Sequence, residues 1–135
     1  MKAVFVDTSY YLALINSLDQ YHSTVCKWTS GFSGTSITTA WIIAELANAM
    51  SQTDNRPFFL SLLRDLQSDA RVTIVPPTKE YFERGLELYS RRSDKDWSLT
   101  DCISFLVMEE QGLKEAATLD RHFAQAGFNV LIPRL

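Results

Sequence analysis

The stretch Ala3-Val4-Phe5-Val6-Asp7-Thr8-Ser9 decides the fold. The run from Lys2 to Val6 is short, β-branched and aromatic, which predicts a buried strand. Asp7-Thr8-Ser9 then supplies side chains that cap helix N-termini, so a short helix is expected over Tyr10–Ile15. A buried strand that leads directly into a helix is one unit of an α/β fold, and an acid lies at the junction.

Strands and helices alternate along the rest of the 135 residues. This pattern predicts a single α/β domain over residues 1–135, with a mainly parallel sheet and right-handed crossovers. Further strands are predicted over Thr35–Thr38, Arg71–Val75, Glu115–Leu119 and Phe128–Ile132. Further helices are predicted over Gln20–Thr29, Ala40–Ser51, Pro57–Gln67, Thr78–Arg91, Ser98–Gln111 and Asp120–Ala126, where Thr78, Ser98 and Asp120 are counted as caps. Thr39 can cap the helix from Ala40, and because that helix is apolar almost all round we expect it to lie deep.

The composition is that of a folded soluble protein, with 46% hydrophobic and 21% charged residues. The net charge of −3 argues against a generally basic nucleic-acid-binding surface, but not against a local site where metal ions contact phosphate. Cys26 and Cys102 form no metal-binding pattern, so we expect two buried, reduced thiols in a cytoplasmic protein. No apolar run reaches the roughly 18 residues that a membrane span needs.

Four acids stand at apolar positions, where an unpaired carboxylate costs on the order of several kcal/mol and is usually neutralised, paired or bound to metal. They are Asp7 after the first strand, Glu45 as the only charge in residues 40–50, Asp101 ahead of the run 102–108, and Asp120 after the run 116–119.

The predicted topology places all four acids at one edge of the sheet. Asp7 and Asp120 follow strands, and the carboxyl ends of parallel strands form the edge where open α/β folds bind ligands. Asp101 lies in the first turn of its helix, and Glu45 lies about a turn and a half into another. If the four acids meet, like-charge repulsion would be severe, and a divalent cation is the natural remedy.

Each acid also has a purely structural interpretation. Asp7 and Asp120 are good N-caps, and Ser98-x-x-Asp101 resembles a capping box, so capping is the favoured explanation of each taken singly. Glu45 is not at a cap and has apolar neighbours, so we expect it to be buried with a partner. One such acid together with three at the same edge favours a metal site.

Other candidates are weaker. For His22 and His122 an exposed or satisfied ring is favoured over acid–base work, and Tyr10 and Tyr11 could either stack on a base or pack their own helix. No nucleophilic triad and no phosphate-binding glycine motif is present.

Three cations, Arg91, Arg92 and Lys95, border the loop before Asp101. They could meet a phosphate backbone, although a solvated helix end is the favoured interpretation.

Four short motifs, in order along the chain, resemble the PIN domain, and in detail the VapC-type toxins of bacterial toxin–antitoxin pairs. The motifs are Val6-Asp7-Thr8-Ser9, Ala44-Glu45-Leu46, Leu99-Thr100-Asp101-Cys102 and Thr118-Leu119-Asp120-Arg121-His122-Phe123. The resemblance implies a three-layer sandwich with a parallel sheet of four or five strands and helices on both faces. It also implies a Mg²⁺- or Mn²⁺-dependent ribonuclease, a small antitoxin partner that blocks the site, and frequent homodimers.

Position by position, the resemblance implies that Asp7, Glu45 and Asp101 are the central acids and that Asp120 is the more variable fourth. Thr8 and Thr118 match hydroxyl positions that support the carboxylates. Cys102 stands where the family often has Ala, a small residue like Cys. Asp96, five residues before Asp101, is either a supporting acid or only a loop residue.

Two other functions remain open at this stage. A catalytically inactive PIN-like module that binds protein or RNA is possible, although the complete set of acids counts against it. A phosphotransfer domain with an aspartyl nucleophile is disfavoured, because Ser9 replaces the second acid of the D-x-D pattern and Val75-Pro76 offers no acid after the third strand.

Overall fold

The computed structural model describes residues 3–135, and its centre is a five-stranded parallel sheet. The strands are β1 (Ala3–Val6), β2 (Thr35–Thr39), β3 (Val72–Val75), β4 (Glu115–Ala117) and β5 (Asn129–Val130). They lie in the order β3-β2-β1-β4-β5, and every neighbouring pair is parallel. Central Phe5 pairs with Ile37 on one side and with Ala116 on the other. All strands therefore end at the same edge of the sheet.

Helices cover both faces of this sheet, and β1 is therefore buried on both sides. On one face Phe5 contacts Phe123, with ring centroids 6.1 Å apart, and Phe123 contacts Phe105 at 5.0 Å. On the other face Val6 lines a recess with residues of the first, second and fourth helices. The helices are α1 (Thr8–Ile15), α2 (His22–Ser30), α3 (Ala40–Ala49), α4 (Arg56–Ser68), α5 (Lys79–Arg91), α6 (Leu99–Glu110) and α7 (His122–Gln125). The expected three-layer α/β architecture is confirmed.

Most of the expected helix caps are present, but Asp120, also expected as an N-cap, is not the N-cap of α7, which is Arg121. Asp7, Thr39, Thr78 and Ser98 are the N-cap residues of α1, α3, α5 and α6, and the side chain of each accepts a backbone hydrogen bond. Gly112 follows α6 with φ of 69°, and the Leu113 N–H donates to the Met108 carbonyl at 2.8 Å. This is a Schellman ending, which needs the left-handed backbone that glycine adopts without strain.

The predicted boundaries are least accurate after β4. The strand expected over Glu115–Leu119 ends at Ala117, and the helix expected over Asp120–Ala126 covers His122–Gln125 only. Side-chain hydroxyls take over the backbone bonds here: Ser9 Oγ accepts from the Leu119 N–H and Thr118 Oγ1 from the Asp120 N–H, both at 2.9 Å. The last strand is likewise shorter than the predicted Phe128–Ile132, and Lys2 of the first predicted strand lies outside the described residues.

The expectation that α3 lies deep is wrong. Ile42 and Leu46 are fully buried, but Ala44, Glu45 and Ala49 are exposed. The apolar character all round the helix comes partly from alanines, which are small enough to face water at little cost. Only the stripe at i and i+4 reaches the core.

Helix α5 packs closely on α6, since a β-carbon on Gly85 would collide with the Ile103 side chain. Cys26 and Cys102 are both free thiols; Cys102 is buried, and Cys26 is half-buried. Between residues 3 and 135, no helix has the length and apolar character of a membrane span.

Candidate active site

A cavity of about 330 Å³ lies at the carboxyl edge of the sheet, and all four predicted site acids line it. Asp7 and Asp120 reach it from the ends of β1 and β4, Asp101 from the start of α6 and Glu45 from α3. The remaining lining residues are Thr8, Ser9, Leu12, Asp96, Ser98 and His122. The geometric convergence expected from the sequence is therefore present in the fold.

Asp7 is the most deeply buried of these acids, with 4% of its surface exposed. Its Oδ2 atom accepts hydrogen bonds from the Ser9 and Thr118 hydroxyls, each at 2.8 Å. Burial raises the pKa of Asp7 from 3.8 to about 6, although the hydrogen bonds from Thr118 and Ser9 oppose that change and the charge of Asp120 adds to it. The Asp7 carboxylate thus sits where its charge is costly.

Asp101 is both a capping residue and a cavity residue. Its Oδ2 accepts from the Ser98 backbone N–H at 3.1 Å, while the Ser98 hydroxyl accepts from the Asp101 N–H at 3.0 Å, which completes the predicted capping box. The same Oδ2 lies 2.9 Å from His122 Nδ1. Burial raises the pKa of Asp101, the Ser98 N–H lowers it, and the negative charge of Asp120 raises it again.

Asp120 and His122 complete a compact group with Asp101. One ligand atom from each of these three side chains lies within 4.8 Å of the others, a spacing that a single metal ion could bridge. Asp120 Oδ1 accepts from the His122 backbone N–H at 2.9 Å and lies 3.3 Å from His122 Nδ1. Because both ring contacts are carboxylates, Nδ1 carries a hydrogen in this arrangement.

The expectation that Glu45 is buried is wrong. Its side chain is exposed rather than buried, because it lies on the side of α3 opposite the Ile42–Leu46 stripe. It does have the expected partner, since the Thr8 hydroxyl donates to Glu45 Oε1 at 2.5 Å. Glu45 therefore reaches the cavity from its rim.

The weaker candidates divide clearly. His22 is a satisfied ring, with Nδ1 2.8 Å from the Ala13 carbonyl oxygen, as the sequence favoured. Tyr10 and Tyr11 are 6% and 3% exposed, so they pack in the core and offer no face for base stacking. His122 is the exception, because its partners are two site acids rather than backbone or solvent.

Sequence reasoning missed His122, Ser9 and Ser98 as residues of the cavity. For His122 a local signal existed: an Asp at position i often accepts from the backbone N–H at i+2, which turns the chain so that both side chains project together. Ser9 is two residues after Asp7 in the same relationship, and its hydroxyl contacts Asp7 directly.

Among the described residues, His122 is the only basic side chain that pairs with acids of the cavity. Within residues 3–135, no Lys or Arg forms an ion pair with Asp7, Glu45, Asp101 or Asp120. Several carboxylates around one cavity, without a cation, match the oxygen-rich donor set that divalent ions prefer. The residues present therefore fit a divalent metal ion.

The acid cavity is not the largest cavity of the molecule. A cavity of about 780 Å³ lies around Trp28, Phe32 and Pro133, and its lining includes Lys27 but no carboxylate. That lining offers no carboxylate ligand set, so of these two cavities only the smaller one fits a divalent metal ion.

A parallel α/β sheet with a carboxylate-lined cavity at its carboxyl edge defines an α/β protein whose ligand-binding edge offers the donor set of a divalent cation. Residues 4–129 match the PIN domain family, and the chain belongs to that family.

Two known proteins are similar to this chain over nearly its whole length. The 23S rRNA-specific endonuclease VapC20 of Mycobacterium tuberculosis is 28% identical over 126 residues, which are 93% of this chain and 95% of that protein. The crystal structure of the same toxin, described as cleaving the sarcin–ricin loop, superposes with a TM-score of 0.87 and 24% identity, covering 96% of this chain and 99% of the other. FitAcB from Neisseria gonorrhoeae superposes with a TM-score of 0.67 and 17% identity, covering 95% and 96%.

Proposed function

We propose that this protein is a metal-dependent endoribonuclease that acts as the toxin of a VapC-type toxin–antitoxin pair. The observation that carries the proposal is the single cavity lined by Asp7, Glu45, Asp101 and Asp120, with no Lys or Arg paired to any of them in the described part of the chain. The match to the PIN family and the likeness to an rRNA endonuclease support the same assignment.

In this proposal the four acids hold Mg²⁺ or Mn²⁺. When bound there, such an ion would lower the pKa of a bound water and stabilise charge on the phosphate. Asp7 and Asp101 are positioned by hydrogen bonds from Ser9, Thr118 and Ser98, so their carboxylates are held before a ligand arrives. Glu45 and Asp120 are more exposed, and we propose that one of these two acids removes the proton from the water.

His122 orients the carboxylates of Asp101 and Asp120. Its Nδ1–H lies between Asp101 Oδ2 and Asp120 Oδ1 and so fixes the separation of these two carboxylates. If the ring turned and its hydrogen moved from Nδ1 to Nε2, the freed Nδ1 would be able to ligate a metal, and a mixed oxygen and nitrogen set would suit Mn²⁺ better than Mg²⁺.

The partners follow from the family resemblance. We propose an RNA substrate, a small cognate antitoxin that blocks the cavity, a homodimeric state and a cytoplasmic location, for one PIN domain over residues 1–135. Because VapC20 is named for 23S rRNA and its sarcin–ricin loop, that loop is the first RNA to test. A catalytically inactive RNA- or protein-binding module is the alternative.

The test is cleavage of a sarcin–ricin loop oligonucleotide and of total RNA by the purified protein. We expect cleavage with Mn²⁺ or Mg²⁺, none with EDTA, and a loss of about 10²- to 10³-fold in Asp101→Asn. Glu109→Gln removes one exposed charge from the same helix and should leave the rate unchanged. Cleavage that survives both EDTA and Asp101→Asn would sink the proposal, and tight metal binding without cleavage of any RNA would favour the inactive module.

A further inference from the structure

A second recess of about 560 Å³ adjoins the acid cavity, and Asp96 and Ser98 line both. We call it the Trp97 recess. It is formed by the end of α5 and the loop that leads into α6. Its lining residues are Tyr89, Ser90, Arg92, Ser93, Lys95, Asp96, Trp97 and Ser98. A polymer that enters the acid cavity therefore has a continuous path into this recess.

The floor of the recess is rigid. Trp97 is 7% exposed, its ring meets Phe105 edge-on with centroids 5.0 Å apart, and its Nε1 donates to Gln125 at 3.3 Å. The Arg92 guanidinium lies 4.8 Å from the centre of the Trp97 ring and donates to both carboxylate oxygens of Asp94. Arg92 is thus held in place, with its positive charge paired to Asp94, and it forms part of the lining of the recess.

Lys95 is different from Arg92. It is half-buried at the recess, and among residues 3–135 no carboxylate lies within ion-pair distance of its ammonium group. The hydrogen bond from Arg92 and, further, the charge of Lys95 lower the pKa of neighbouring Asp94, so Lys95 has a carboxylate nearby but none in contact. An anionic ligand can therefore contact the Lys95 ammonium group directly. Phosphate groups are the anions that such lysines commonly bind in nucleic-acid complexes.

Tyr89 adds an exposed aromatic ring to the recess that contains Lys95. Its side chain is 53% exposed at the end of α5, in contrast to the buried Tyr10 and Tyr11. An exposed aromatic ring next to a cation is the combination that binds single-stranded nucleic acid, through base stacking and phosphate contact. The volume of the recess lies within the range of small-ligand sites.

We propose that the Trp97 recess binds a nucleotide of the RNA strand beyond the two that the phosphate in the acid cavity joins, with Lys95 contacting the phosphate of that nucleotide and Tyr89 stacking on its base. This inference rests on the proposed ribonuclease function. It assigns RNA positioning to a loop in which Lys95 forms no close ion pair within residues 3–135, in a chain whose net charge is −3.

The experiment measures RNA affinity in the Asp101→Asn background, which prevents cleavage, with Mn²⁺ present. Lys95→Gln and Tyr89→Ala are each compared on two RNAs that share the cleaved bond: one with several flanking nucleotides on both sides, and one trimmed to the dinucleotide. Lys114→Gln is the matched control, because this exposed lysine precedes β4 at the opposite edge of the sheet.

We expect Tyr89→Ala to weaken binding of the long RNA about 5-fold or more. Lys95→Gln should also weaken it and should reduce the slope of log affinity against log salt by about 0.7 to 0.9. Neither variant should change the affinity for the dinucleotide, and Lys114→Gln should change neither affinity. Unchanged affinity of both variants for the long RNA would overturn the proposal.

The two hypotheses fail separately. If the wild-type protein cleaves RNA but the recess variants bind the long RNA normally, the recess assignment is wrong and the nuclease stands. If the wild-type protein cleaves no RNA but its affinity still depends on Lys95 and Tyr89, the nuclease proposal fails and the recess remains an RNA site.

Discussion

The acid cavity has two walls that differ in burial although both consist of carboxylates. Asp7 and Asp101, the inner wall, are 4% and 6% exposed and accept hydrogen bonds from the surrounding hydroxyl and backbone groups. Glu45 and Asp120, the outer wall, are exposed and half-exposed. Burial raises the pKa of both inner acids. Ionisation of the two inner acids therefore lowers the free energy of unfolding, whereas the charges of the two outer acids lower it little.

The largest expected effect is on stability at Asp7. Its pKa is raised to about 6, so between pH 3.8 and about 6 the folded state holds a proton that the unfolded state has lost. Stability therefore falls as pH rises through this window, by up to about 3 kcal/mol. Asp7→Asn should remove this loss in metal-free protein, so that the variant is more stable than wild type at pH 7 and equal near pH 3.

Urea unfolding at several pH values in EDTA measures this difference. Glu109→Gln, which removes an exposed carboxylate, should follow the wild-type curve. If Asp7→Asn is as stable as wild type at pH 7, or less stable, then the Asp7 charge is not a folding cost and the two walls do not differ as described.

The next effect is stabilisation by metal. A ligand at a hundred times its dissociation constant stabilises the folded state by about 2.7 kcal/mol. We expect Mn²⁺ to stabilise the wild-type protein on this scale, because it removes repulsion between Asp101 and Asp120. Asp101→Asn should lose most of this gain at the same Mn²⁺ concentration. Thermal unfolding with and without Mn²⁺ checks it, and an equal gain in both proteins would place the metal elsewhere.

A smaller effect is expected from the hydroxyls behind each wall. Thr118 donates to Asp7 Oδ2 at 2.8 Å and accepts from the Asp120 N–H at 2.9 Å, in a fully buried position. Thr118→Val should therefore destabilise the fold by about 1 to 2 kcal/mol. Thr8→Val removes the hydroxyl that contacts exposed Glu45 and should cost less. The two variants compared by urea unfolding test the contrast, and equal losses would contradict it.

The same contrast explains what the sequence could and could not predict. Asp7 and Asp101 could be placed because caps and strand ends are local features that a parallel sheet gathers at one edge. The burial of Glu45 was predicted wrongly, since an apolar run does not say which face of α3 meets the core. His122 was missed because its role depends on Asp101, which lies 21 residues earlier in sequence and comes near only in the folded chain.

The smallest stability effect should come from Glu45→Gln, which is nevertheless informative. Glu45 is exposed and its one described hydrogen bond comes from Thr8, which a glutamine oxygen can also accept. The free energy of unfolding should stay within about 0.5 kcal/mol of wild type. RNA cleavage should still fall at least about 10-fold, on the scale seen when groups around a metal are altered.

Both quantities must be measured on the same protein, because only their difference identifies the role of Glu45. Glu45 adds negative charge at the rim of a cavity that already contains three acids, and this repulsion is an electrostatic cost. A bound cation would offset the cost, and a role in proton transfer would explain why a carboxylate is present although folding does not need it. If Glu45→Gln cleaves RNA as fast as the Glu109→Gln control, Glu45 is a surface residue. The working site then reduces to Asp7, Asp101 and Asp120, and the outer wall to Asp120 alone.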